Sequence, residues 1–370
     1  MAGILDFVTQ FGSEEQCIAH LAELRWPGGY RCASCGGEKA WQLKARPRVF
    51  ACAACHHQES VTAGTVFHRT RTALPKWFLA AYLMGRDKRG VSAKFLQREL
   101  GVAYQTAWTM LHKLRHGLSE DPGKPLAGYL ETDETYIGGR GDPTSPGRSL
   151  ANPDKSLVAL AVEKRSAAKN DKGDYRHAIK RQHGFYAGSA RIAVLPSAKA
   201  TELGGFVKTN IAAGSRLLTD GFASYQGQEA ALGDHLKHTP VIQDQGANAA
   251  TMFPIIHTLF SNIKAWLVGT HHGVSAKHLH RYLREWAYRF NRRNLKRNTG
   301  HYLIRRAVEC ATITYDQLVA GDTPGDATRK RRVHAQVAIH ALLIRWSNKL
   351  ILRIVCSSFT HGSDRHPLPF

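Results

Sequence analysis

Two Cys-x-x-Cys pairs, Cys32/Cys35 and Cys52/Cys55, stand near the start of the chain with sixteen residues, 36–51, between them. Each pair fits a tight knuckle that presents two thiolates, and two knuckles together complete the tetrahedron that Zn²⁺ prefers. Trp41–Leu43 and Arg48–Ala51, between the pairs, are rich in strand-forming residues. Residues 1–70 are therefore predicted to hold a zinc ribbon behind a helix pair or a broken helix over residues 5–24, which Pro27, Gly28 and Gly29 stop. His56 and His57 follow the last cysteine directly but read as surface groups, because four thiolates already close a structural site. Cys17, Cys310 and Cys356 are scattered, which is no disulfide layout and fits a reducing compartment.

Charge narrows the partner. With 370 residues the chain has length for two or three domains, and its 51 Lys and Arg against 29 Asp and Glu give a formal net charge of +22. Such an excess goes beyond what solubility requires and implies a polyanion, for which double-stranded DNA is the expectation. No apolar run is long enough to span a bilayer and no signal-peptide pattern opens the chain, so the expectation is a cytoplasmic protein with no membrane partner.

Helical periodicity begins at Leu74–Met84, with Pro75 in the first turn. A second run, Val91–Leu100 with Ser92 as N-cap, is followed by a Gly101-Val102 turn and a third run, Tyr104–Arg115. This is a helix-turn-helix layout over residues 71–124 in which Gln105, Thr106 and Thr109 would face a DNA groove. A plain helical hairpin used for packing is the competing reading. Residues 119–124 read as a linker.

The next domain, 125–300, opens with Leu130–Gly139, a short apolar strand that ends in an acidic cluster and breaks at two glycines. A strand of this kind delivers a carboxylate, Asp133, to the rim of a sheet. A Gly/Arg/Pro-rich loop (138–154), a buried strand (156–163), a polar loop (164–180), a third strand (185–195) and a helix (201–211) follow. Ser215–Gly221 then repeats the opening pattern of apolar strand, aspartate and glycine, giving Asp220. The order predicts a mixed α/β sheet that gathers Asp133 and Asp220 at one rim, where they can hold one or two divalent cations. An apolar helix spans 253–267. Another, Lys277–Arg293, mixes aromatics with a dense basic face, on which Arg281, Arg289 and Arg293 suit a phosphate backbone. Residues 301–370 read as a helical appendage with no assigned role.

Taken together, the four cysteines, Thr132–Gly139, Leu218–Gly221, Ser261-Asn262-x-Lys264, Gly269–His272 and Arg289–Arg293 resemble the DDE-type transposases of bacterial insertion sequences, in their zinc-ribbon branch. The resemblance covers roughly residues 15–300. It implies a ribonuclease-H-like mixed sheet with flanking helices, Mg²⁺ or Mn²⁺ as catalytic metal besides the structural Zn²⁺, and cutting and joining of DNA at terminal inverted repeats by a homo-oligomer. The third catalytic position, usually a glutamate, departs from the pattern: no acid occurs between Met252 and Lys264. Asn262 is favoured there on the resemblance, and His257, seven residues before Lys264 on the same helix face, is second. Lys264 would neutralise charge on a phosphate. The alternative function is a zinc-ribbon, helix-turn-helix regulator without nuclease activity, which leaves the two strand-end aspartates without a role.

Overall fold

Strand β4 (Tyr129–Ile137) and strand β5 (Ser156–Ser166) pair antiparallel, and β5 pairs likewise with β6 (Phe185–Leu195). β7 (Ser215–Thr219) and β8 (Leu236–Pro240) join in parallel on the other side of β4. The mixed sheet thus runs β6-β5-β4-β7-β8, with β4 at its centre. In this computed structural model the described residues are 3–86, 89–118, 125–138, 155–167, 184–220, 236–240, 253–295 and 299–321. The expected linker 119–124, most of the 138–154 and 164–180 loops, Gly221, and the chain beyond Gly321, Cys356 included, lie outside them. β5 continues as strand to Ser166, three residues past the run read from sequence.

The period of two divides each central strand between two cores. Leu130, Ala159, Ala161 and Leu217 face one side and pack on Leu203, Phe206 and Val207 of α6 (Ala200–Asn210). Ile137, Val158, Leu160, Val162 and Ile192 face the other. Two long helices cover that side, α7 (Pro254–His271) and α8 (Ala276–Asn291), through Ile256, Phe260, Ile263, Leu283 and Trp286. Helix, sheet and helix therefore form three layers, the ribonuclease-H-like arrangement.

A further core is helical. α1 (Ile4–Phe11), α2 (Glu14–Arg25), α3 (Leu74–Arg86), α4 (Ala93–Leu100) and α5 (Tyr104–Gly117) bury Phe7, Leu21, Phe78, Met84, Leu96 and Leu111 together. Leu303, Ile304 and Ala307 of α9 (Thr299–Glu309) complete it, and α10 (Tyr315–Ala320) lies against α5. The segment after residue 300 thus enters the same core as the N-terminal helices. Strands β1 (Ala40–Leu43), β2 (Arg46–Cys52) and β3 (Gln58–Ser60) form the small antiparallel ribbon between α2 and α3.

Candidate active site

Alternate residues of a strand share a face, so Glu131, Asp133 and Thr135 line the side of β4 that α7 covers. At one end the Ile256 backbone N–H donates to Glu131 Oε2 (3.0 Å), and at the other Lys264 Nζ donates to Thr135 Oγ1 (2.9 Å). Four residues of strand span about 13 Å and eight of helix about 12 Å. α7 therefore runs along β4, and Asp133 lies beneath the stretch between the two anchors. Asp133 is 7 % exposed, and its Oδ1 accepts from the Glu134 N–H at 2.8 Å.

β4 and β7 pair as Tyr129↔Arg216, Leu130↔Leu217 and Glu131↔Leu218. Asp133 lies two residues further along β4, and Asp220 lies two residues past Leu218, directly after the last residue of β7. Leu218 packs into the core under α7, and Asp220 continues that face.

α7 carries both residues named for the third position. Seven residues of helix bring His257 to within about 20° of Lys264 around the axis, whereas Asn262 stands about 160° away from it. Because Lys264 reaches β4, the His257 side of α7 is turned toward the aspartates. His257 is half-buried beside the Phe253 ring, and Asn262 is exposed. Burial lowers the pKa of the Lys264 ammonium, while the Asp133 carboxylate draws it back up.

In the ribbon the four Sγ atoms lie within 4.8 Å of one another. The Cys32–Cys55 and Cys35–Cys52 separations are both 3.6 Å, close to the edge of about 3.8 Å that a tetrahedron with Zn–S bonds near 2.3 Å requires. The backbone N–H groups of Ser34 and Ala54 point at Cys32 and Cys52 Sγ, each at 3.4 Å. Such donation favours thiolate: backbone donation from Cys35 and Ser34 brings Cys32 down to about 6, and that from Cys55 and Ala54 lowers Cys52. The donor set fits Zn²⁺. His56 is no ligand; it takes a left-handed backbone (φ 58°) one residue after Cys55, as Gly36 (φ 74°) does after Cys35, so the two knuckles repeat one geometry.

The basic helix α8 differs from expectation. Arg281 is fully buried with Nη1 3.4 Å from the Leu318 carbonyl, and Arg289 is 9 % exposed beside Glu285 at 3.3 Å. Glu285 also binds Arg115 of α5 at 2.6 Å. Burial alone would raise the Glu285 carboxyl, but Arg115 and Arg289 outweigh it and hold the pKa below the ordinary value. Arg281 and Arg289 are thus buried instead of facing DNA, and the Arg115–Glu285 pair joins α5 to α8. Arg293 is exposed, yet its guanidinium donates to the Ala187 and Gly188 carbonyls of β6. Beside it Asn291 exchanges two hydrogen bonds with the backbone of Ala190 (2.8 and 2.9 Å), so this end of α8 covers the sheet's edge strand.

α4 and α5 are two helices joined by a turn at which Gly101 is left-handed (φ 57°), a geometry that the helix-turn-helix and the plain helical hairpin share. Gln105 is exposed, while Thr106 and Thr109 are half-buried; all three line a cavity of about 300 Å³ with Thr70, Lys113 and Tyr315. The sequence reading missed Glu131 and Thr135 as site residues. The signal was the period of two running both ways from Asp133.

A ribonuclease-H-like mixed sheet behind a four-cysteine ribbon is the architecture that the resemblance to zinc-ribbon DDE transposases implies. The comparisons agree: residues 125–291 match the ISXO2-like transposase domain, and residues 12–58 match the transposase zinc-ribbon domain. The chain belongs to the DDE-type insertion-sequence transposases that carry an N-terminal zinc ribbon. It is also similar to an uncharacterized protein in transposable element ISH50 of Halobacterium salinarum, 28 % identical over 313 residues, which covers 82 % of this chain and 99 % of that one. No helix among the described residues is long and apolar enough to cross a membrane.

Proposed function

We propose that the protein cuts and joins DNA strands at the terminal inverted repeats of its own element, by in-line phosphoryl transfer that depends on a divalent cation. The observation that carries this reading is the parallel pairing of β4 with β7 as far as Glu131 and Leu218, which supports a placement of Asp133 and Asp220, two residues further along each chain, side by side. Mg²⁺ or Mn²⁺ held there would activate water or a 3′-hydroxyl and stabilise the leaving oxygen. Asp133 and Asp220 are the carboxylate ligands. His257 is the third group, in place of the Asn262 favoured from sequence, because it shares the face of α7 that Lys264 turns to β4. An imidazole nitrogen suits Mn²⁺ better than Mg²⁺. Lys264, tethered to Thr135 beside Asp133, neutralises charge on the scissile phosphate.

The helix-turn-helix pair, the ribbon and the basic surface bind the duplex, and copies of the chain assemble on the element ends. In domain terms the ribbon (1–70) and the helical region (71–124) hold DNA, and residues 125–300 cut it. The test is cleavage of a labelled duplex bearing an element end. Asp133→Ala and Asp220→Ala each abolish cleavage and joining while end binding stays within about threefold of the parent, since binding is carried by other surfaces. Cleavage at the parental rate by either variant, in Mg²⁺ or Mn²⁺, overturns the reading.

A further inference from the structure

Helix α7 begins without a cap of its own. Phe253 stands at the N-cap position with no side-chain hydrogen bond to the first turn, and Pro254 follows at the first helical position. The N-cap normally supplies a Ser, Thr, Asp or Asn oxygen to an N–H two or three residues on. Here the N–H three residues on belongs to Ile256, and the oxygen it meets is Glu131 Oε2, from 125 residues away in sequence. Glu131 is fully buried, and its other oxygen, Oε1, lies 3.0 Å from Lys164 Nζ of β5. A carboxylate at a helix N-terminus also meets the positive end of the helix dipole.

The place of this contact matters more than its strength. Glu131 lies two residues before Asp133 on the same face of β4, and Ile256 lies next to His257 on α7. The carboxylate therefore fixes the start of the helix that brings His257 and Lys264 over the aspartates, with the Lys264–Thr135 contact fixing it further along. Oε2 is taken up by the Ile256 N–H, and Oε1 forms an ion pair with Lys164 without a hydrogen bond of its own.

We propose that Glu131 is a positioning residue for strand cleavage: it caps α7 from the central strand and so sets His257 and Lys264 in register with Asp133 and Asp220. The inference rests on the catalytic reading above. A helix start that drifts by about 1 Å misplaces a reacting group enough to cost roughly 100-fold in rate.

The experiment uses the full-length zinc-loaded protein with Glu131→Ala, Glu131→Gln, Lys164→Met and Asp133→Ala. Three quantities are read: amide hydrogen exchange at Ile255–Thr258, Mn²⁺ binding by electron paramagnetic resonance, and single-turnover cleavage of an end-bearing duplex. Glu131→Ala is expected to speed exchange at the start of α7, weaken Mn²⁺ binding and slow cleavage by about 100-fold, with end binding and circular dichroism unchanged. Glu131→Gln keeps an acceptor oxygen for Ile256 and should recover most of the loss, and Lys164→Met should resemble the parent.

Parental exchange, Mn²⁺ binding and cleavage in Glu131→Ala overturn the proposal, and so does a Glu131→Gln variant as slow as Glu131→Ala. If Glu131→Ala does not fold, Glu131→Gln and Lys164→Met decide: parental exchange at Ile255–Thr258 and cleavage within about threefold of the parent in both support the proposal, and a loss of about 100-fold in either overturns it. Asp133→Ala separates the two readings, because its retention of Mn²⁺ binding and cleavage removes the catalytic assignment itself, whatever Glu131 does.

Discussion

The Lys264–Thr135 contact orients α7, and on the proposed reading that orientation favours His257 over Asn262, five positions away. A helix turns about 100° per residue, so once the Lys264 ammonium is tied to Thr135, His257 is turned toward the aspartates and Asn262 toward solvent. His257→Ala should therefore lower single-turnover cleavage by about 100-fold, and Asn262→Ala should stay within about threefold. The opposite pattern returns the third position to Asn262. The sequence could show that no acid stands in this helix, but not which face meets β4. That is a tertiary fact, set by Glu131 and Thr135 in a strand more than 120 residues earlier. The two apolar strands themselves were legible, but the strand-end position read for Asp133 was not right: β4 runs on four residues past it to Ile137, whereas Asp220 directly follows the last residue of β7. Arg281 and Arg289 were misread for a related reason: a basic helix pattern looks the same whether its guanidinium groups meet water or a buried Glu285.

The ribbon was readable as an element because its geometry is covalent and local. Paired cysteines, two residues between each pair, and a left-handed residue after each second cysteine leave little choice of conformation. Cys35→Ser should lose the metal and unfold the ribbon, since a structural zinc site supplies folding free energy outright. Elemental analysis of the purified parent checks the premise, and absence of about one zinc per chain refutes it. The latch of α8 on β6 was not readable. Asn291 looks like one more polar residue in a basic run, yet its amide pairs with both backbone groups of Ala190 at the sheet edge, where strands otherwise expose unpaired donors and acceptors. Asn291→Ala should cost about 1–3 kcal/mol in urea denaturation by removing the acceptor of the Ala190 N–H, while the Ala190 carbonyl keeps Arg191 Nη1 as donor. It should also speed hydrogen exchange along β6, and unchanged stability would show that water replaces the amide.

Among the described residues a buried polar seam joins α5 to α7 and α8, and its ionisation gives a one-sided response to pH. Arg115 of α5, Glu285 and Arg289 of α8 and His271 of α7 meet there, with His112 of α5 nearby against Tyr282 and His278. Burial, with Arg115 as the next cause, lowers His271 to about 3 and pushes His112 well below the ordinary histidine range. Both are neutral in the folded chain at pH 7, while the unfolded chain titrates them near 6.5. Below that pH the unfolded state takes up protons that the folded state refuses, so stability is fully present above about pH 6.5 and falls as the solution is acidified. Each histidine contributes a slope of about 1.4 kcal/mol per pH unit, or close to 3 for the two together. Glu285 acts in the same direction lower down, because its folded pKa is depressed and its share is lost only as pH falls below the ordinary carboxylate value. Zinc release from the cysteines also follows acid, so wild-type stability alone does not isolate the seam. The decisive comparison is the urea midpoint at pH 7.5 and pH 5.5, at fixed zinc, for the parent and for His112→Phe/His271→Phe. The parent should lose about 2–3 kcal/mol over that interval and the double variant roughly half as much or less. Equal losses in both would mean that these rings reach solvent or find acceptors in the folded chain, and the seam would then carry no pH response.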